Sequence, residues 1–124
     1  MRVEREKARA RGTAAEWFAT IWLFLKGYRI QARQFHAHGG ELDVVALTPY
    51  WNSPCTIVFI EVRARSTLEQ AVGSVTHAKR QRVEKAATQF CARNRRLAKL
   101  PRRFDLIVLA DKGWPRHLVD AWRT

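Results

Sequence analysis

Gly40-Glu41-Leu42-Asp43-Val44-Val45-Ala46 and, after a short linker, Val58-Phe59-Ile60-Glu61-Val62-Arg63-Ala64-Arg65 decide how this chain folds. Residues 41–47 and 56–63 predict two strands, and Thr48-Pro49-Tyr50-Trp51-Asn52-Ser53-Pro54 between them has the turn chemistry of a hairpin. The second strand is apolar on both faces in its first half, which places it at the centre of a sheet. Side chains alternate along a strand, so Glu41 and Asp43 share one face and Glu61 and Arg63 share another; pairing lets the two faces coincide. An acid following Ile57–Ile60 costs on the order of several kcal/mol if it is buried without a partner. Glu61 and Asp43 are therefore the leading site candidates.

Upstream, residues 13–26 predict a helix, with Ala14, Phe18, Ile21, Trp22 and Leu25 at three- and four-residue steps as the packing face and Gly27 as its C-cap. Residues 28–35 alternate Tyr28, Ile30 and Ala32 against Arg29, Gln31 and Arg33, a strand with one wet face that Gly39-Gly40 ends. Downstream, a loop around Gly73 leads to a second helix over 76–94, with Lys79, Val83, Ala86, Ala87 and Phe90 on one side. Residues 104–110 and 117–122 predict two more strands. The expected fold is α/β: one domain over 1–124, a mixed central sheet flanked by helices in the order α-β-β-β-α-β-β.

The 124 residues suffice for one core. Against 23 Lys and Arg stand only 11 Asp and Glu, a net charge of +12, and nucleic acid is the partner such an imbalance favours. Cys55 and Cys91 are far apart in sequence and form no metal or disulfide pattern. No secretory leader is recognisable and no run approaches the roughly 20 apolar residues of a membrane span, so the expected location is the cytoplasm and no membrane partner is expected.

Carboxylates repel phosphate. Acids gathered on adjoining strands of so basic a chain point to a divalent cation, Mg²⁺ or Mn²⁺, bridging them to an anionic substrate. Arg80, Arg82 and Lys85 with Lys79 on the second helix, and Arg65 beyond Glu61, supply groups to track phosphates, with only Glu84 among the acids between Lys79 and Arg103. The two histidines of His36-Ala37-His38 lack a third ligand and read as surface residues, and Asp105 reads as a buttress for the sheet or an arginine.

With these features in place the chain resembles the YraN family of small bacterial proteins. The resemblance rests on the two acidic strands quoted above, on Gly27-Tyr28-Arg29-Ile30, on Lys79 and Arg82, and on Arg103-Phe104-Asp105; it covers nearly the whole chain. It implies a restriction-endonuclease-like fold related to archaeal Holliday-junction resolvases and, with it, a metal-dependent DNA endonuclease acting on branched or structured DNA, self-associating as a homodimer. It further implies that Asp43 and Glu61 are metal ligands and that Glu16 is an acid near the same metal. The family signature usually has lysine two residues beyond the second acid, where this chain has Arg63. A guanidinium stays protonated and can hold a phosphate, so proton transfer would fall to Lys79 or be done without an amine. The alternative is a catalytically inactive nucleic-acid-binding protein on the same fold, with an RNA-binding accessory protein as a third reading.

Overall fold

The computed structural model describes residues 2–124. Five strands, β1 (Arg29–Ala37), β2 (Gly40–Leu47), β3 (Ile57–Arg65), β4 (Arg102–Ala110) and β5 (Arg116–Trp122), lie side by side in sequence order. Every neighbouring pair is antiparallel except β3 and β4. A parallel pair needs a crossover, and α2 (Leu68–Gly73), α3 (His77–Arg93) and α4 (Arg95–Ala98) supply it on one face of the sheet. The opposite face is covered by α1 (Arg2–Leu25). This is the mixed, helix-flanked α/β sheet that the sequence predicts.

Two apolar layers hold it together. On the α3 side, Val83, Ala86, Ala87, Phe90 and Cys91 meet Leu42, Val45, Leu47, Phe59, Phe104 and Trp122, and Phe59 stacks on Phe104 as Phe104 does on Trp122. On the α1 side, Ala15, Ala19 and Leu23 meet Val44, Ala46, Val58, Ile60, Val62 and Ile107. Central β3 is buried from Ile57 to Val62, as its two-sided apolar run requires.

Helix α1 departs from the sequence reading twice. It begins at Arg2 rather than Thr13: residues 2–11 lack apolar periodicity but are rich in the helix formers Ala, Arg, Glu and Lys, and Arg2 pairs with Glu6 at 3.6 Å. More consequentially, the face against the sheet is Ala15, Ala19 and Leu23, while Phe18, Ile21 and Leu25 of the expected packing face are exposed. Small residues let the helix axis approach the sheet, so the bulky stripe faces outward. The helix closes as expected: Gly27, at φ +91°, precedes Tyr28, whose N–H returns to the Leu23 carbonyl at 3.0 Å, and Trp51 lies where a Gly27 side chain would project.

The expected loop around Gly73 contains α2, capped by Thr67, whose hydroxyl accepts the Gln70 N–H. Its six residues are too few to show a periodicity. The hydroxyl of Thr76 similarly caps α3, accepting the Lys79 N–H.

Gly40 fixes how close α3 comes to β2. A Cβ there would stand 2.0 Å from the Arg82 carbonyl oxygen, so Gly40→Ala must push α3 away. We expect it to lower stability by about 2–3 kcal/mol, read from the denaturant midpoint. Gly73→Ala, with nothing within 4 Å of the added carbon, provides the matched control and should stay within about 0.5 kcal/mol.

Candidate active site

The β2–β3 ladder runs from Leu47↔Ile57 to Val44↔Ile60 and stops. One more step would pair Asp43 with Glu61. Instead the Asp43 side chain takes over: Oδ2 accepts the Val62 N–H at 2.8 Å. On its other flank the β1–β2 ladder also leaves Asp43 unpaired, passing from Arg33↔Val44 to Phe35↔Leu42 without a change of register, and Gln34 opposite it sits at φ +49°. Leu42 consequently joins the α3-side layer and Val44 the α1-side layer. Asp43 thus sits at a break in strand alternation, which is why Glu41 and Asp43 do not simply share a face.

Glu61, 1% exposed, stands at the end of the apolar run of β3. Its Oε2 accepts from Arg63 Nη2 at 3.2 Å and lies 3.8 Å from Lys79 Nζ, which reaches over from α3. Its Oε1 is buried without a donor. Burial first, then the hydrogen bond and charge of neighbouring Asp43, push the Glu61 carboxyl up to about 9, against the pull of Arg63 and Lys79. As a neutral acid Glu61 can donate to Asp43; as a carboxylate it leaves Oε1 unmet.

Lys79 also donates to Glu41 Oε1 at 3.1 Å, and this bond holds the Glu41 carboxyl below its ordinary range. Lys79 therefore bridges the acids of both strands. On the α1 side, Glu16 accepts from Arg33 Nη2 at 3.3 Å and Gln34 Nε2 at 3.4 Å. Burial raises the Glu16 carboxyl, Gln34 opposes that rise, and Asp43 adds to it. Glu16, Gln34, His36, Glu41, Leu42 and Asp43 line one cleft of about 220 Å³.

The structure thus brings Glu16, Glu41, Asp43, Glu61, Arg63 and Lys79 to one place. Among the described residues no set of three His, Cys, Asp or Glu side chains converges as a ready-made metal cage. A Mg²⁺ or Mn²⁺ ion needs less: one or two carboxylates, with waters and substrate oxygens completing the shell. The Asp43–Glu61 pair fits that need, because a cation beside the orphaned Oε1 would do what the extra proton otherwise does.

The basic candidates separate. Arg82 lowers the Glu41 carboxyl by its charge, and the Lys85 stem lies beside Gly39, so both exposed side chains flank the cleft. Arg80 turns the other way, its guanidinium 5.5 Å from the Trp122 ring. Arg65 donates to the Ala64 carbonyl at 2.8 Å, two residues beyond Arg63. Arg33 and Gln34 were missed by the sequence reading; nothing in the one-wet-face pattern of β1 marks which of its polar residues turns toward α1.

Asp105 is the buttress the sequence suggested. Fully buried, it accepts Arg103 Nε and Nη2 at 2.8 Å each and the Asp120 N–H at 2.9 Å, and lies 2.7 Å from His117 Nε2. Burial alone would raise its carboxyl, but the bonds from His117, Arg103 and the Asp120 N–H hold it below the ordinary range.

The sequence model of the Uncharacterised protein family UPF0102 matches residues 15–109, a span that holds Glu16, Asp43, Glu61, Arg63 and Lys79. A UPF0102 protein of Paramagnetospirillum magneticum is 42% identical over 122 residues, covering 95% of this chain and 91% of the relative. A UPF0102 protein of Methylorubrum extorquens is 41% identical over 118 residues, covering 95% and 88%, and one of Agrobacterium fabrum is 36% identical over 119 residues, covering 96% and 93%. No helix among the described residues is long and apolar enough to cross a membrane. By motif, by fold and by similarity over most of its length, the chain belongs to the UPF0102 family, the YraN family of its sequence resemblance.

Proposed function

We propose that this protein is a metal-dependent DNA endonuclease whose Mg²⁺ or Mn²⁺ is held by Asp43 and Glu61. The observation that carries this reading is Glu61: a buried carboxyl with an orphaned oxygen, beside a second acid, at the point where the β2–β3 ladder ends. Asp43 also ties down the Val62 N–H and Glu61 meets Arg63 and Lys79, but these contacts leave Glu61 Oε1 unmet, and a cation is the partner that would meet it.

When bound, the cation supplies a water of lowered pKa and neutralises charge at the phosphate. Asp43 and Glu61 orient it. Arg63, two residues along the strand from Glu61, is placed to exchange its contact with Oε2 for the scissile phosphate, and Lys79 balances Glu61 and Glu41. Glu16, steadied by Arg33 and Gln34, faces the same cleft from α1 and would accept a hydrogen bond from a water there. Arg82 and Lys85 flank the cleft and contact phosphates on either side, with Arg65 beyond Arg63. Branched or structured DNA is the proposed substrate class, resting on the family resemblance alone.

The alternative, an inactive DNA-binding protein, is favoured by one observation: Arg63 already closes on Glu61, where the signature's lysine would leave an amine. The two readings separate on labelled duplex, single-stranded, flap and four-way-junction DNA with Mg²⁺ or Mn²⁺. The nuclease reading expects wild-type cleavage, loss by at least about a hundredfold in Asp43→Asn, and retained binding in that variant. Binding by both proteins with no cleavage by either, under either metal, would leave the inactive reading standing.

A further inference from the structure

We propose that α1 is the seam of a two-fold homodimer, with Phe18, Ile21 and Leu25 at its centre and Trp17 and Phe24 at its sides. The structure leaves these five side chains 44–75% exposed on one helix, although their three- and four-residue spacing is the strongest apolar pattern in that helix. The sheet does not use them, because Ala15, Ala19 and Leu23 face it. Phe18–Ile21–Leu25 and Trp17–Ile21–Phe24 are steps of three and four, the spacing at which one helix seats its side chains between those of another.

A second copy is the occupant that the size of the patch fits. Large apolar side chains present roughly 150–250 Å² each, so the five at these exposures offer on the order of 500 Å². A stable interface needs about 800 Å² per partner, of which about two-thirds is apolar in homodimers. Trp51, 73% exposed where the chain folds back over Gly27, extends the patch past the end of α1.

Charge sets the direction. In the first half of the helix the exposed Arg2, Arg5, Lys7 and Arg9 outnumber the exposed Glu4 and Glu6, and a parallel pair would lay these halves against each other. The antiparallel arrangement about Ile21 separates them and sets Trp17 and Phe18 of one copy against Phe24 and Leu25 of the other. Family resemblance gave no surface for self-association; the outward stripe does, and because α1 also carries Glu16, pairing through it fixes the two acidic clefts relative to each other.

The test is mass by sedimentation equilibrium at about 50 µM, above the micromolar limit of standard-sized interfaces. Wild type should read twice 14.4 kDa and Ile21→Glu 14.4 kDa, with circular dichroism of the variant unchanged because Ile21 lies outside the core. Glu61→Gln should dimerise like wild type, which separates this proposal from the nuclease reading. A monomeric wild type, or a dimer that survives both Ile21→Glu and Phe24→Glu, overturns it. So does a monomer that floats with phosphatidylglycerol vesicles and loses them on Ile21→Glu, which would assign the stripe to lipid.

Discussion

Glu61→Gln is expected to do two opposite things: reduce Mg²⁺-dependent cleavage by at least about a hundredfold and make the metal-free protein more stable. The first follows from replacing an ionisable ligand with an amide that holds a divalent cation poorly. The second follows from linkage. The folded state pushes the Glu61 carboxyl from its ordinary 4.5 up to about 9, so between those values the folded chain binds the proton more tightly than the unfolded chain. Stability from this group is fully present below pH 4.5 and is lost as pH rises through about 9. At pH 7 the loss is on the order of 3 kcal/mol. Glutamine, neutral at every pH, does not incur it. Thermal melts in a chelator should therefore show the variant near wild type at pH 5 and above it at pH 8, with a gap that widens between. A constant gap would mean that Glu61 does not carry the proton, and an unstable variant would mean that its carboxylate is a structural contact.

That dual behaviour was partly legible in the sequence. An acid directly after Ile57–Ile60 announces a buried charge without any knowledge of the fold, and the alternation of the neighbouring strand nominates Asp43 as its companion. Alternation alone misjudges Asp43, however, because Leu42 and Val44 turn to opposite layers and Gln34, opposite Asp43, stands at φ +49°, a local break that leaves no periodic signal. The helices show the same division. Val83, Ala86, Ala87 and Phe90 were readable as the core face of α3 because no second apolar stripe competes. In α1 two stripes compete, and hydrophobicity favours the bulkier one while the sheet accepts the smaller. Arg80 and Lys79 are adjacent in sequence, yet roughly 100° of helical rotation sends one to Trp122 and the other to the acids.

Asp105→Asn should be the most damaging single-atom change in the fold. Its two carboxylate oxygens receive only donors: two from Arg103, one from the Asp120 N–H, and His117 Nε2. The histidine tautomer follows from its other side, where Lys26 Nζ lies 2.7 Å from Nδ1; an ammonium donating there leaves the ring proton on Nε2. An asparagine amide must turn its NH₂ toward one pair of these donors, and it deprives the part-buried Arg103 guanidinium of the counter-charge that the fully buried Asp105 supplies. Breaking a buried pair from one side costs about 3–5 kcal/mol, which for a chain of this length lowers the melting temperature by roughly 10 °C or more. The pH dependence runs opposite to that of Glu61. The folded state holds the Asp105 carboxyl below 3.8, so its stabilisation is present above that value and disappears as pH falls through the folded pKa. The gap between wild type and Asp105→Asn should therefore be full at pH 7 and shrink below pH 3.8. A shift of only a degree or two at pH 7 would show that the cluster tolerates a neutral centre. A large loss at neutral pH that closes in acid would identify the Asp105 charge, rather than the shape of its side chain, as what ties β4, β5 and the end of α1 together.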